Sequence, residues 1–178
     1  MSNTPETQQT NPLREGLATR MVPQACSIVI FGATGDLTMR KLIPALYNIA
    51  ADGELPPAVA VIGFARRPKS DEQFRKEQEE STRKFSRQQV QDEVWNTFAE
   101  GLFYHQAEFH DADGYKKLAE RLDQIDKERG TGGNRLFYLA VAPDQFEPII
   151  KNLKKAGLNR SAEGGWARVA ADTFGMAL

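Results

Sequence analysis

Ser27-Ile28-Val29-Ile30-Phe31 runs directly into Gly32-Ala33-Thr34-Gly35-Asp36, and the junction between the two decides the fold. The first five residues are short, apolar and β-branched, the signature of a strand buried on both faces of a parallel sheet. The two glycines permit a tight turn. Helical spacing follows from about Leu37 to Ala51, carried by Leu37, Lys41, Leu42, Ala45, Leu46 and Ile49, with Pro44 predicting a kink or break. Gly53 is placed to stop that helix, and Pro56-Pro57 forbids its continuation. A second apolar run, Val59 to Ala65, ends at Arg66-Arg67-Pro68. Strand, glycine turn, helix and strand make one βαβ unit.

Outward from this unit the pattern repeats. Ser70 or Asp71 is placed to cap a helix through about Phe85, and Ser86 a second one past Trp95 and Phe98. Within the first, Arg75/Glu79, Lys76/Glu80, Glu79/Arg83 and Glu80/Lys84 are opposite charges four residues apart, which reads as a solvated face. Leu102 to Phe109 reads as a strand, Asp111 caps a helix ending near Gly130, and Leu136 to Val141 is another buried strand. A helix from about Asp144 to Ala156 and a strand around Trp166 to Ala170 complete the series. The expected fold is α/β: a Rossmann-like, doubly wound, mostly parallel sheet with helices on both faces.

Residues 1–24 are polar and read as a flexible tail, leaving 25–178 as the folded domain. At 178 residues such a chain can bury roughly 70% of its unfolded surface. The 23 basic and 24 acidic residues leave a net charge of −1, which gives no electrostatic footprint for nucleic acid or anionic lipid. Neither a membrane span nor the apolar core of a secretory signal is evident, and the single Cys26 fits a reducing compartment; the expected location is cytoplasmic.

Gly32-x-x-Gly35 stands where a Rossmann fold binds pyrophosphate, with backbone N–H groups and a helix dipole ahead of it. The three-glycine fingerprint is incomplete, since Thr38 stands where a further glycine is expected. A Walker loop is excluded, because Leu37 and Arg40 stand five residues beyond the two glycines. The phosphate-loop reading therefore points to a dinucleotide. A coenzyme lacking a 2′-phosphate is met at the end of the second strand by a carboxylate; here Arg66-Arg67 favours NADP. No catalytic residue and no metal site emerges: His105 and His110 match no zinc spacing. The Tyr-x-x-x-Lys pair of short-chain reductases is missing, since Ala51, Glu108, Ala119 and Ala142 stand four beyond the tyrosines.

Three segments carry a family resemblance: Phe31 to Leu46 (Phe-Gly-Ala-Thr-Gly-Asp-Leu-Thr-Met-Arg-Lys-Leu-Ile-Pro-Ala-Leu), Ile62 to Arg66, and Asn134 to Pro143. From about Ser27 to Val169 the chain resembles the coenzyme domain of glucose-6-phosphate dehydrogenase. The resemblance implies NADP-dependent oxidation of glucose 6-phosphate to 6-phosphogluconolactone, at the entry to the pentose phosphate pathway. It implies that Gly32, Ala33, Thr34, Gly35, Asp36 and Leu37 hold the pyrophosphate. Arg66 is implied at the 2′-phosphate, and Ala142 and Pro143 beside the nicotinamide. Arg40 and Lys41 read equally well as coenzyme-binding or as helix-surface residues. Two departures stand against full activity. The family's Glu-Lys-Pro-Phe-Gly is reduced to Phe174-Gly175, and its Arg-Ile-Asp-His-Tyr-Leu-Gly-Lys-Glu segment, which supplies the catalytic histidine, does not occur in the 178 residues. The expectation is an NADP binder that takes glucose 6-phosphate only weakly and is catalytically incomplete. The alternative is a non-catalytic NADP- or partner-binding fragment, associating for instance with a full-length dehydrogenase.

Overall fold

A computed structural model describes residues 23–161 and 164–171. The expected tail and the Phe174-Gly175 remnant therefore lie largely or wholly outside the described residues. Five strands form one wholly parallel sheet: β1 (Ser27–Phe31), β2 (Ala60–Ala65), β3 (Leu102–Gln106), β4 (Arg135–Leu139) and β5 (Ala167–Ala171). Their order is β3-β2-β1-β4-β5, so β1 is central and the direction of winding reverses between β1 and β4. In open α/β sheets a crevice opens at that reversal, beyond the carboxyl ends of the strands.

The helices divide between the two faces, as side-chain alternation along the strands requires. Ile30, Val61, Leu102 and Tyr104 pack with Tyr47, Phe74, Trp95 and Phe98 from α1 (Ile43–Ala51), α2 (Asp71–Phe85) and α3 (Asp92–Ala99). Val29, Phe31, Ile62, Phe64, Phe137 and Leu139 pack with residues of α4 (Ala112–Arg129) and α5 (Phe146–Lys155). β2 is buried at every position because both faces are covered.

Several helix ends follow from local chemistry. Ser70 accepts from the Gln73 N–H while Gln73 Oε1 accepts from the Ser70 N–H, a reciprocal capping box that starts α2. Asp111 caps α4, and Gly130, with φ +73°, ends it. The awkward Pro44 is accommodated by a wider turn ahead of it. Thr38–Leu42 is π-helical, the Ile43 N–H reaches back to the Thr38 carbonyl, and Pro44 enters α1 in its first turn. Ser81 of α2 donates to the Met39 carbonyl in that turn at 2.7 Å.

Two expectations fail. Ser86 does not start a helix; it ends α2, donating through Oγ to Asn48 and accepting from the Gln88 N–H. α3 begins after Gln91, whose N–H is held by the Tyr47 hydroxyl, so a tertiary contact sets the start that the serine marked falsely. Of the four charge pairs expected along α2, only Glu79–Arg83 forms an ion pair. Arg75 instead donates to the Leu102 carbonyl at the sheet edge, which gives it a fixed partner in place of a solvated one. Two strands are also shorter than read: β3 stops at Gln106 and β4 at Leu139.

Gly63 makes room on β2 for the Phe74 ring of α2. A Cβ there would stand 2.6 Å from the Phe74 ring and 2.8 Å from Ala33 Cβ, both wholly buried. Gly63→Ala is expected to destabilise the fold by about 1–3 kcal/mol through overpacking, read as a lower urea midpoint at unchanged slope.

Candidate coenzyme site

The first strand ends in a turn that no other residue type fits. Gly32 has φ +85°, and a Cβ on it would stand 2.3 Å from the Ala140 carbonyl oxygen at the end of β4. The turn is then tied inward. The Gly32 and Ala33 N–H groups donate to the Phe64 carbonyl at 3.0 and 3.3 Å, and the Gly35 N–H to the Gly32 carbonyl at 2.9 Å. Thr38, fully buried, donates its hydroxyl to the same Gly32 carbonyl at 3.2 Å. The residue that broke the glycine fingerprint thus stitches the turn through its side chain.

The first intrahelical bond runs from the Met39 N–H to the Gly35 carbonyl. The N–H groups of Asp36, Leu37 and Thr38 come before it, at the positive end of the helix dipole. That is the position a phosphate would take. The exposed Asp36 carboxylate would oppose an anion here, but it pairs with Arg40 at 3.4 Å across one helical turn. Arg40 also lies over the Phe85 ring, its guanidinium 5.0 Å from the centroid.

A cavity of about 270 Å³ opens above the turn, at the carboxyl ends of β1, β2 and β4. Five of the nine expected residues line it: Gly32, Thr34, Gly35, Arg66 and Ala142. The other four do not. Ala33 is wholly buried beneath the turn, Asp36 and Leu37 continue into the helix, and Pro143 begins a short 3₁₀ turn (Pro143–Gln145) beside Ala142. Arg67, paired with Arg66 in the sequence reading, also lines the cavity, as do Phe109, Val141 and Gln145, which were not singled out in the sequence. Only the topology brings the ends of three separate strands together, although position just past a strand's carboxyl end was a usable signal. A larger cavity, about 470 Å³, lies at the opposite end of the sheet among Leu55, Pro56, Val59, Val94 and Phe98. Its walls are mostly apolar and carry no glycine turn, so the smaller cavity is the candidate for a dinucleotide.

Past β2 the two arginines have fixed backbones and exposed side chains. Gln106 Nε2 donates to the Arg66 carbonyl at 3.3 Å and the Tyr104 hydroxyl to the Arg67 carbonyl at 2.5 Å. The Arg66 side chain is 68% exposed, with Glu108 4.0 Å from its Nε.

The remaining titratable candidates have structural surroundings. Cys26 is buried, which pushes its thiol pKa up and keeps it protonated. His105 is buried with Nε2 donating to the Gly114 carbonyl at 2.8 Å. Burial lowers its pKa; the bond to Gly114 opposes this, and Arg121 and Lys117 reinforce it. Among the described residues no cluster of three His, Cys, Asp or Glu could hold a metal ion, and no helix is long and apolar enough to cross a membrane.

A strand-turn-helix with a glycine-shaped approach, at the reversal point of a parallel sheet, defines a dinucleotide-binding α/β domain. Residues 29–173 match the family model of the glucose-6-phosphate dehydrogenase NAD-binding domain. Over 158 residues the chain is 46% identical to the glucose-6-phosphate 1-dehydrogenase of Chlamydia muridarum, covering 86% of this chain and 31% of that protein. It is 40% identical over 161 residues to glucose-6-phosphate 1-dehydrogenase 2 of Mycobacterium tuberculosis, covering 89% and 31%. The crystal structure of the Mycobacterium avium enzyme superposes with a TM-score of 0.69 at 31% identity, over 83% of this chain and 29% of that one. A glucose-6-phosphate dehydrogenase solved in complex with its substrate glucose 6-phosphate gives the same TM-score at 32% identity. The chain belongs to the glucose-6-phosphate dehydrogenase family and resembles its coenzyme domain, spanning less than a third of the length of these relatives.

Two measurements test the geometry. Gly32→Ala combines a left-handed backbone with a clash against a carbonyl, so a loss of at least about 2 kcal/mol in stability is expected by urea titration. His105 protonates more readily in the unfolded chain than in the folded one. Stability is therefore full above pH 6.5, its ordinary pKa, and is lost as pH falls through that value toward the lowered native one. His105→Gln keeps a donor for Gly114 without titrating, so its melting temperature is expected to vary less with pH below 6.5 than the wild type's.

Proposed function

We propose that this chain binds NADP, and that the protein carrying it oxidises glucose 6-phosphate to 6-phosphogluconolactone. The observation that supports this most directly is the turn at Gly32: a Cβ-free approach in front of unbonded helix N–H groups, with two arginines directly past the neighbouring strand where NAD-binding folds carry an acidic residue. The residues fit the coenzyme. Thr34, Asp36 and Leu37 would hold the pyrophosphate through main-chain N–H groups, and Gly32, Ala33 and Gly35 act by shaping the turn. Arg66 would hold the 2′-phosphate through charge-assisted hydrogen bonds, with Arg67 beside it. Ala142 and Pro143 would border the nicotinamide side of the crevice. When bound, NADP supplies a hydride acceptor.

What the chain's residues do in the reaction is positional. The bonds to the Phe64 and Gly32 carbonyls fix the turn, so the N–H groups at the start of the helix need no rearrangement to meet an anion, which is the advantage of a preorganised site. Binding of the sugar phosphate and acceptance of its hydroxyl proton are assigned, by the resemblance, to the family's substrate domain and its histidine. On this reading the 178-residue chain alone binds NADP with little turnover, and its contact with glucose 6-phosphate is weak.

Arg66→Ala tests the assignment. Its side chain is largely exposed, so the melting temperature is expected to stay put. Loss of a charge-assisted contact to phosphate predicts about ten- to hundredfold weaker NADP binding by calorimetry, with NAD binding changed less than about threefold. Equal losses for the two coenzymes would place Arg66 elsewhere than at the 2′-phosphate.

A further inference from the structure

The end of β3 runs beside the end of β2, and the two are fastened more firmly than strand pairing alone requires. Beyond the last register pair, Ala65 with Gln106, the Ala107 N–H donates to the Ala65 carbonyl at 3.1 Å. Gln106 Nε2 donates to the Arg66 carbonyl, and the Tyr104 hydroxyl, on a ring only 2% exposed, to the Arg67 carbonyl. Lys69 pairs with Glu77, and Ser70 is locked in its capping box, so the chain from Arg66 to Ser70 is held along its length. These contacts fix where the arginine side chains start and leave them exposed. They also fix what stands opposite. Two residues past Gln106, Glu108 holds its carboxylate 4.0 Å from Arg66 Nε, and the two side chains are 63% and 68% exposed.

We propose that Glu108 is a specificity-determining residue: its carboxylate occupies Arg66 in the free protein and opposes a 2′-phosphate there, so it sets how strongly the site discriminates NADP from NAD. The inference rests on the assignment of Arg66 to the 2′-phosphate. A phosphate dianion approaching Arg66 must displace the Glu108 carboxylate from the guanidinium and then remain near a like charge. NAD brings no charge to that spot, and its ribose hydroxyls can donate to the carboxylate as they do to the acidic residue of NAD-binding folds. Glu108 thus acts in opposite directions on the two coenzymes. It lies outside the cavity lining and outside every segment of the family motif, in a loop whose pattern gives it no role.

Calorimetric titration of NADP and of NAD into the wild type, Glu108→Gln and Arg66→Ala tests this. Glu108→Gln removes the charge at nearly constant shape from an exposed site, so the melting temperature is expected to be unchanged. NADP is expected to bind about three- to tenfold more tightly, the range that an exposed pair and one like-charge neighbour provide. NAD is expected to bind equally or slightly more weakly, so the ratio of the two affinities widens. Glu108→Lys is expected to widen it further. The inference is overturned if Glu108→Gln leaves the ratio within about twofold of wild type while Arg66→Ala abolishes the wild-type preference for NADP. A wild type that shows no such preference, or an Arg66→Ala variant that keeps it, overturns the assignment of Arg66 itself and the role of Glu108 with it.

Discussion

The close approach of Gly32 to the Ala140 carbonyl is the contact on which the rest of the structure depends. β1 is the centre of the sheet, paired with β2 on one side and β4 on the other. At its carboxyl end the chain must leave the sheet without colliding with either neighbour, and a Cβ on Gly32 would collide with β4. A glycine with positive φ allows the chain to turn within the width of one strand. The same turn brings the Phe64 carbonyl of β2 within reach of two main-chain N–H groups. Three strands are thereby tied at one point, and that point is the floor of the crevice where winding reverses. Fold and site share a single steric requirement.

How legible this was in the sequence follows from the range of each interaction. β1 and β2 and the βαβ unit announce themselves, because a strand buried on both faces must be apolar throughout and its neighbours must be turn or helix; the more exposed β5 is read from its place in the alternation of strands and helices. The ends of α2 and α4 were readable for the same reason: Ser70, Asp111 and Gly130 act on groups within a few residues of themselves. Ser86 misled because its partner Asn48 is 38 residues away, and Gln91 was passed over because its partner is Tyr47. Arg75 carried the spacing of a helix-surface pair, yet its fixed bond is to the Leu102 carbonyl 27 residues on. Of the candidate site, the part contained in one turn was legible. Phe109, Val141 and Gln145, which complete the cavity from other strand ends, follow from topology alone.

Net charge near zero gives no hint of an anion site, and the proposed one does not depend on it. The field at the turn comes from oriented main-chain dipoles, which carry no formal charge, and from a few local side chains. Asp36 at the helix start is offset by Arg40, and Arg66 is offset by Glu108. A site built in this way is tuned by short-range balances, so its sign cannot be summed from composition.

The edge of the sheet supplies the remaining link between stability and site. β3 is an edge strand, and its outer backbone groups are sealed by side chains: Arg75 Nε donates to the Leu102 carbonyl at 2.9 Å and the Tyr104 N–H donates to Asp71 at 2.6 Å. Such sealing guards an exposed edge against pairing with other chains. Asp71 is itself held by Arg121 of α4, which donates to both carboxylate oxygens, and it lies in the first turn of the helix that Ser70 caps. Tyr104, fixed by its main chain to this group, extends its hydroxyl to the Arg67 carbonyl. One residue therefore closes the edge with its backbone and positions the arginine turn with its side chain. Loosening the edge at Asp71 would loosen the arginines as well, so the Arg66-Arg67 segment depends for its position on the sheet margin that supports it.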